Sequence, residues 1–148
     1  MLKLIYNFLF RTKRRSLTIK AIFYAAVARF RIRFFPGSKL HRYLGENGVE
    51  TPAEELIDKE LRRNFRFVAD RVASAAKRMP WESKCLVQAM VAQRLLRDYG
   101  MKSTLYLGVG RDEKENGKMV AHAWVRCGIH YVCGGTGEGY GVVATFVM

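Results

Sequence analysis

Cys85 and His122 are the two residues whose types and spacing can do chemistry together. Cys85 falls in the first turn of a helix read over Lys84–Tyr99, two residues after the cap candidate Ser83. A helix N-terminus favours an anion, so it lowers the cost of a thiolate. His122 lies downstream on a strand, inside Ala121-His122-Ala123-Trp124. An imidazole there can take the thiol proton and return it to a leaving group. The backbone N–H groups of the helix start add donors for the oxyanion of a tetrahedral intermediate.

A third group normally orients such a histidine. Reading Cys127-Gly128 as a two-residue hairpin turn places Cys133 directly across from His122. Neither Cys133 nor Gly134 carries an acid, and Glu138 is the nearest carboxylate in the following loop. The third member is therefore missing or is a backbone carbonyl. Trp124 shares the strand face of His122 and packs near the site. Trp81 either walls a cleft or packs. Gln88, one turn after Cys85, fits a buried hydrogen-bond network better than a substrate contact, and His130 reads as a hairpin surface residue. The cysteines and histidines lack the short paired spacings of zinc ligands, so no metal is expected. The run Gly134-Gly135-Thr136-Gly137-Glu138-Gly139 lacks the helix and lysine of a phosphate loop, so no nucleotide cofactor is expected either.

The elements that must position these residues follow from periodicity. Residues 4–10 and 17–35 read as two helices separated by the basic run 11–15, with Pro36-Gly37 as a break and 37–50 as a polar loop. Thr51, Pro52 and Glu54 resemble a capped helix start. Ile57, Leu61, Phe65, Val68, Val72, Ala76 and Met79 then make one apolar stripe ending before Pro80. The Cys85 helix is apolar on most sides, hence buried, and Gly100 closes it. Strands follow at Ser103–Val109, Met119–Arg126, Ile129–Cys133 and Val142–Val147, with a charged loop between the first two. The expected class is α+β: N-terminal helices, then a central Cys-bearing helix on an antiparallel sheet of about four strands.

At 148 residues and 49% hydrophobic content, the chain supports one folded unit with a real core. The net charge of +13 is concentrated at the start. Residues 1–42 carry 11 Lys and Arg and no acid, whereas the remainder carries 15 basic and 13 acidic residues. The excess favours anionic surfaces, and residues 1–35 are read as a basic helical segment that lies on an anionic membrane or caps the fold. Its longest uncharged stretch, Ala21–Ala28, is too short to span a bilayer. Three cysteines without paired spacing point to a reducing, cytoplasmic setting, with membrane association the alternative. Nucleic acid is not an expected partner.

Trp81-x-Ser83-x-Cys85-Leu86-x-Gln88-Ala89, the Leu95-Leu96 pair with Gly100, the strand Leu105–Gly108 and Ala121-His122-Ala123-Trp124-Val125 together resemble the transglutaminase-like leader peptidases of lasso-peptide biosynthesis. The resemblance reaches weakly to the basic N-terminal helix and the Pro36-Gly37 break. It implies a papain/transglutaminase-like fold, with residues 1–50 a basic helical segment and 51–148 the cysteine protease domain of one compact unit. It implies a peptidase that removes the leader from a ribosomally made precursor, with Cys85 as nucleophile and His122 as base. The family's acid after the histidine is not matched. The resemblance is to the split form, whose partners would be the precursor peptide, a separate leader-recognition protein and a lasso cyclase. Two other functions stay open: an inactive scaffold for precursor, cyclase or membrane, and an acyl transferase or deamidase using the same pair.

Overall fold

The computed structural model describes the backbone of residues 2–78 and 85–148, with side chains from residue 13 onward. Helix α1 runs from Leu2 to Phe34 without interruption. The basic run 11–15 does not split it, because Arg and Lys are good helix formers and no Gly or Pro intervenes. Pro36 ends α1 and serves as N-cap to a short helix α2, Gly37–Leu44. The expected polar loop is therefore helical in its first half, where Leu44 is buried and Leu40 packs against the core.

Residues 51–58 are not helical, and α3 spans Lys59–Arg78. The expected start at Thr51 is overridden by a tertiary bond. Thr51 N donates to Thr104 Oγ1 at 2.9 Å, and the two hydroxyls lie 2.7 Å apart in a buried position. Asp58 caps α3 instead, accepting from Glu60 N at 2.8 Å. The apolar stripe holds at Val68 and Val72, with Leu61 and Phe65 partly buried, while Ile57 lies outside the helix and is exposed. Its end, at Met79 and Pro80, lies outside the described residues, as do the cap candidate Ser83 and Trp81.

Helix α4, Cys85–Asp98, is the central element. Val87, Ala89, Met90, Val91, Ala92, Leu95 and Leu96 are all buried, as expected for a helix apolar on most sides. Gly100, with φ 73°, closes it, and Met101 N donates back to Leu96 O at 3.0 Å. The sheet comprises β1 (Glu46–Asn47), β2 (Thr104–Asp112), β3 (Lys118–Cys127), β4 (His130–Cys133) and β5 (Gly141–Val147). It is antiparallel, in the order β1-β5-β2-β3-β4, with five strands where four were expected. The fifth is β1, two polar residues whose only signature is their pairing with Phe146 and Val147. The expected charged loop between β2 and β3 is shorter than 110–118: β2 continues to Asp112, where a 3-10 turn at Glu113–Glu115 follows.

Strand alternation divides the sheet into two faces. On the first, Leu105, Ala123, Val125, Cys127 and Phe146 join α4 in one core. Burying a side chain such as Leu105 or Leu95 contributes about 1.5–3 kcal/mol. Gln93 is the polar residue in this layer, and its Nε2 donates to Phe146 O at 3.1 Å. Helix α1 adds Leu17, Ala21, Ala25 and Ala28 to the same core. Asp98 ties α1 to the end of α4, reaching Lys20 Nζ at 2.7 Å and Tyr24 Oη at 2.9 Å. Among the described residues, no helix is long and apolar enough to cross a membrane.

Candidate active site

Cys85 opens α4 with its thiol half-buried. The burial of the helix's apolar sides fixes the helix on the first face of the sheet, and with it the approach of the thiol. His122 pairs with Gly108, so its side chain belongs to the second face, beside Trp124 and opposite the face that carries α4. It lies on the stretch of β3 that β4 does not cover, since β4 pairs only with Val125–Cys127. No hydrogen bond among the described residues joins the thiol to the imidazole.

The imidazole is held from three sides. Its Nε2 lies 2.7 Å from Gly134 O. A carbonyl only accepts, so Nε2 carries the proton and the neutral ring keeps Nδ1 as its basic nitrogen. Trp124 stacks beside it at 5.9 Å and 24°, and Tyr140 lies against it at 4.7 Å. The group that orients His122 is thus a backbone carbonyl, one of the two outcomes left open by the sequence.

Cys133 does not face His122. The hairpin turn is Gly128-Ile129, not Cys127-Gly128: Cys127 pairs with His130, and Arg126 with Tyr131. Gly128 has φ 58°, which suits the first central position of the turn. A bulge between Val125 and Arg126 then brings Cys133 opposite Val125. Its side chain packs against the first-face core, where burial, and after it the nearby Cys85 thiol, push it up to about 12 against a bond from Val125 N. Cys133 stays protonated and orients no imidazole. Glu138 is exposed and makes no bond to His122. Gln88 lies half-buried on α4, one turn beyond Cys85. His130 is half-buried, its ring 5.5 Å from that of Phe65.

The glycine-rich loop after β4 closes over the second face, and Trp124 decides how. A Cβ on Gly134 would stand 2.4 Å from Ala123 O and 2.8 Å from Trp124 Cβ, and Gly134 has φ 78°. A Cβ on Gly137 would meet the indole at 2.3 Å, and one on Gly108 would meet it at 2.7 Å. The loop and β2 approach Trp124 this closely only because these three positions have no side chain. Of this arrangement the sequence revealed the glycines but not which carbonyl they deliver.

A polar network backs the indole. Tyr106 stacks on Trp124 at 5.4 Å and 7°, and its hydroxyl donates to Glu50 Oε2 at 2.7 Å. Arg126 Nε donates to that hydroxyl at 2.9 Å, while its terminal nitrogens reach Gly128 O at 2.6 Å and Thr51 O at 2.7 Å. Burial raises the Tyr106 pKa, with Glu50 adding to the shift. For Arg126, burial pulls downward, but Tyr106 and Glu50 outweigh it and the net shift is upward. Tyr106, Tyr140, Arg126 and Glu50 carried no motif signal; alternation places Tyr106 and Arg126 on the face of His122.

Among the described residues, no group of three His, Cys, Asp or Glu side chains stands close enough to hold a metal. The arrangement puts a free thiol at a helix start and holds an imidazole in a defined tautomer. No curated protein and no solved structure matches the chain. The family model described as Transglutaminase-like superfamily matches residues 25–145, more than half of the chain, over α4 and every strand from β1 to β4. With its α+β architecture and Cys-bearing central helix, the chain belongs to the transglutaminase-like superfamily, which includes cysteine proteases.

Proposed function

We propose that the chain is a cysteine peptidase that removes the leader from a ribosomally synthesised lasso-peptide precursor. Cys85 is the nucleophile and His122 the general base and acid. The Cys85 sulfur attacks the scissile carbonyl while Nδ1 of His122 takes the thiol proton. The C–N bond breaks, the leaving amine takes that proton, and a thioester forms. Water then attacks the thioester, giving a proton back to His122, and the thiol is restored as the carboxylic acid leaves. Helix-start N–H groups stabilise the oxyanion at both stages.

The observation that supports this reading is the His122–Gly134 bond, which assigns the ring proton to Nε2 and leaves Nδ1 as the basic nitrogen. Cys85 and His122 share no hydrogen bond among the described residues, so the pair must close when substrate binds. Nucleophile–base pairs are often loose without substrate and tighten in its presence. The precursor would be presented by a separate leader-recognition protein, and a lasso cyclase would take the product.

The test uses the full chain with precursor peptide and recognition protein, followed by mass spectrometry. Cleavage by the native chain and none by Cys85→Ala, with unfolding unchanged, supports the peptidase. Undiminished cleavage by Cys85→Ala overturns it. Transfer to an amine, or loss of ammonia without cleavage, identifies an acyl transferase or deamidase instead. A second reading, an inactive scaffold, draws on the lack of a thiol–imidazole hydrogen bond and of any carboxylate bonded to His122 among the described residues. It predicts that the native chain binds precursor and leaves it whole.

A further inference from the structure

Helix α1 buries one side and presents an unusual second one. Leu17, Ala21, Ala25 and Ala28 are buried in the core. On the opposite side Ile19, Phe23, Phe30 and Phe34 are 68%, 61%, 56% and 67% exposed. At about 100° per residue these four fall on a single stripe, half a turn of the helix away from the buried alanines. The stripe runs roughly 22 Å along the helix, at 1.5 Å per residue. Four large apolar side chains in one line are more than the scattered exposure of an ordinary surface.

The charges around the stripe say what covers it. The same wheel puts Arg15 and Arg33 along one margin, and Lys13, Lys20 and Arg31 along the other. Lys20 is tied to Asp98, and Arg31 lies over the Tyr43 ring at 4.1 Å. Between residues 13 and 42 there is no acidic side chain at all. An apolar ridge between two cationic margins matches the layering of an anionic bilayer surface, with acyl boundary in the middle and headgroups on either side. The ridge runs along one side of a single uninterrupted helix, which suits a plane. Among the described residues, no helix is long and apolar enough to cross such a layer.

We propose that α1 docks the folded protein on an anionic lipid surface through Ile19, Phe23, Phe30 and Phe34, with Lys13, Arg15, Arg31 and Arg33 at the headgroups. The inference does not depend on the peptidase reading and holds for an inactive scaffold equally.

The experiment is flotation of the full chain with vesicles of phosphatidylcholine alone and of phosphatidylcholine mixed with phosphatidylglycerol. Partition onto the mixed vesicles should exceed that onto the neutral ones by about tenfold or more, and should fall as salt shortens the Debye length. The triple variant Phe23→Ser, Phe30→Ser, Phe34→Ser should lose about tenfold or more of the partition. The double variant Arg15→Glu, Arg33→Glu should lose a comparable share, and all these side chains are exposed, so both variants keep the native melting temperature. No partition, equal partition on both vesicles, or full partition by the triple variant overturns the proposal. Light scattering adds one more outcome: a native dimer made monomeric by the triple variant, with vesicle binding unchanged, would show that a second copy covers the stripe and overturn it too.

Discussion

The carbonyl oxygen of Gly134 lies 2.7 Å from Nε2 of His122 and takes the place that a carboxylate or amide side chain would hold beside a catalytic imidazole. A carbonyl orients the ring and fixes its tautomer, but it adds no negative charge to stabilise an imidazolium. The pair therefore directs His122 by geometry.

Gly134→Ala tests that direction. The new Cβ would meet Ala123 O at 2.4 Å with the backbone at φ 78°, so the segment must move and carry its carbonyl off the imidazole. The variant should lose about 10–100-fold in turnover, as for other residues that orient a site, and about 1–3 kcal/mol in stability. Turnover on precursor and chemical denaturation check the two numbers, and native turnover would show that the carbonyl does not position the ring.

Thiol labelling separates the three cysteines. Burial raises both Cys127 and Cys133, the latter to about 12, while Cys85, half-buried like Cys133, opens its helix. Iodoacetamide near neutral pH should alkylate Cys85 first and Cys133 more slowly, with the buried Cys127 following only on unfolding. Peptide mass mapping of the native chain reads this directly. Equal labelling of all three would contradict the burial of Cys127 and the packing of Cys133 against the core.

Cys133 also predicts a pH dependence. Its pKa is raised from 9.0 to about 12 in the folded chain, so above pH 9 the unfolded state holds fewer protons than the folded one. Stability is therefore full below about pH 9 and falls as the pH rises towards 12. The loss from this group is about 1 kcal/mol at pH 10. Cys133→Ala should flatten that part of the curve, which thermal melts across the range will measure.

Arg126 is the residue to break on the far side of Trp124. Its guanidinium bonds Tyr106, Thr51 O and Gly128 O and pairs with Glu50 at 3.4 Å, with its side chain only 8% exposed. Arg126→Met keeps the volume but strands those acceptors, and should cost about 1–3 kcal/mol. Denaturant titration would show it as a lower midpoint. A midpoint within experimental error of the native one would mean that the network contributes nothing net.

Much of this was legible in the sequence, and the misses have local causes. The Cys85 helix, the His122 strand and the Gly100 stop follow from apolar runs, alternation and a glycine, all short-range signals. Thr51 and Pro52 carry a helix-start pattern, yet the buried Thr51–Thr104 pair ties the threonine to β2 and leaves capping to Asp58. The contact between His122 and residue 134 depended on register. Moving the turn to Gly128-Ile129 and adding one bulged residue slid Cys133 from His122 to Val125. The sequence allowed a backbone carbonyl but not which one, because that is set by the positive φ of Gly134 and the bulk of Trp124, not by any side chain at 134.

The indole of Trp124 and the bare positions 108, 134 and 137 have a consequence for how this chain can vary over generations. Gly108 is mandatory only while the tryptophan stands, since the indole fills the volume a methyl group would need. Gly134 and Gly137 are held twice, by close neighbours and by a positive φ that a smaller residue at 124 would not relieve. Positions 108 and 124 should therefore drift as a pair, while 134 and 137 should stay glycine even in a lineage that replaces Trp124.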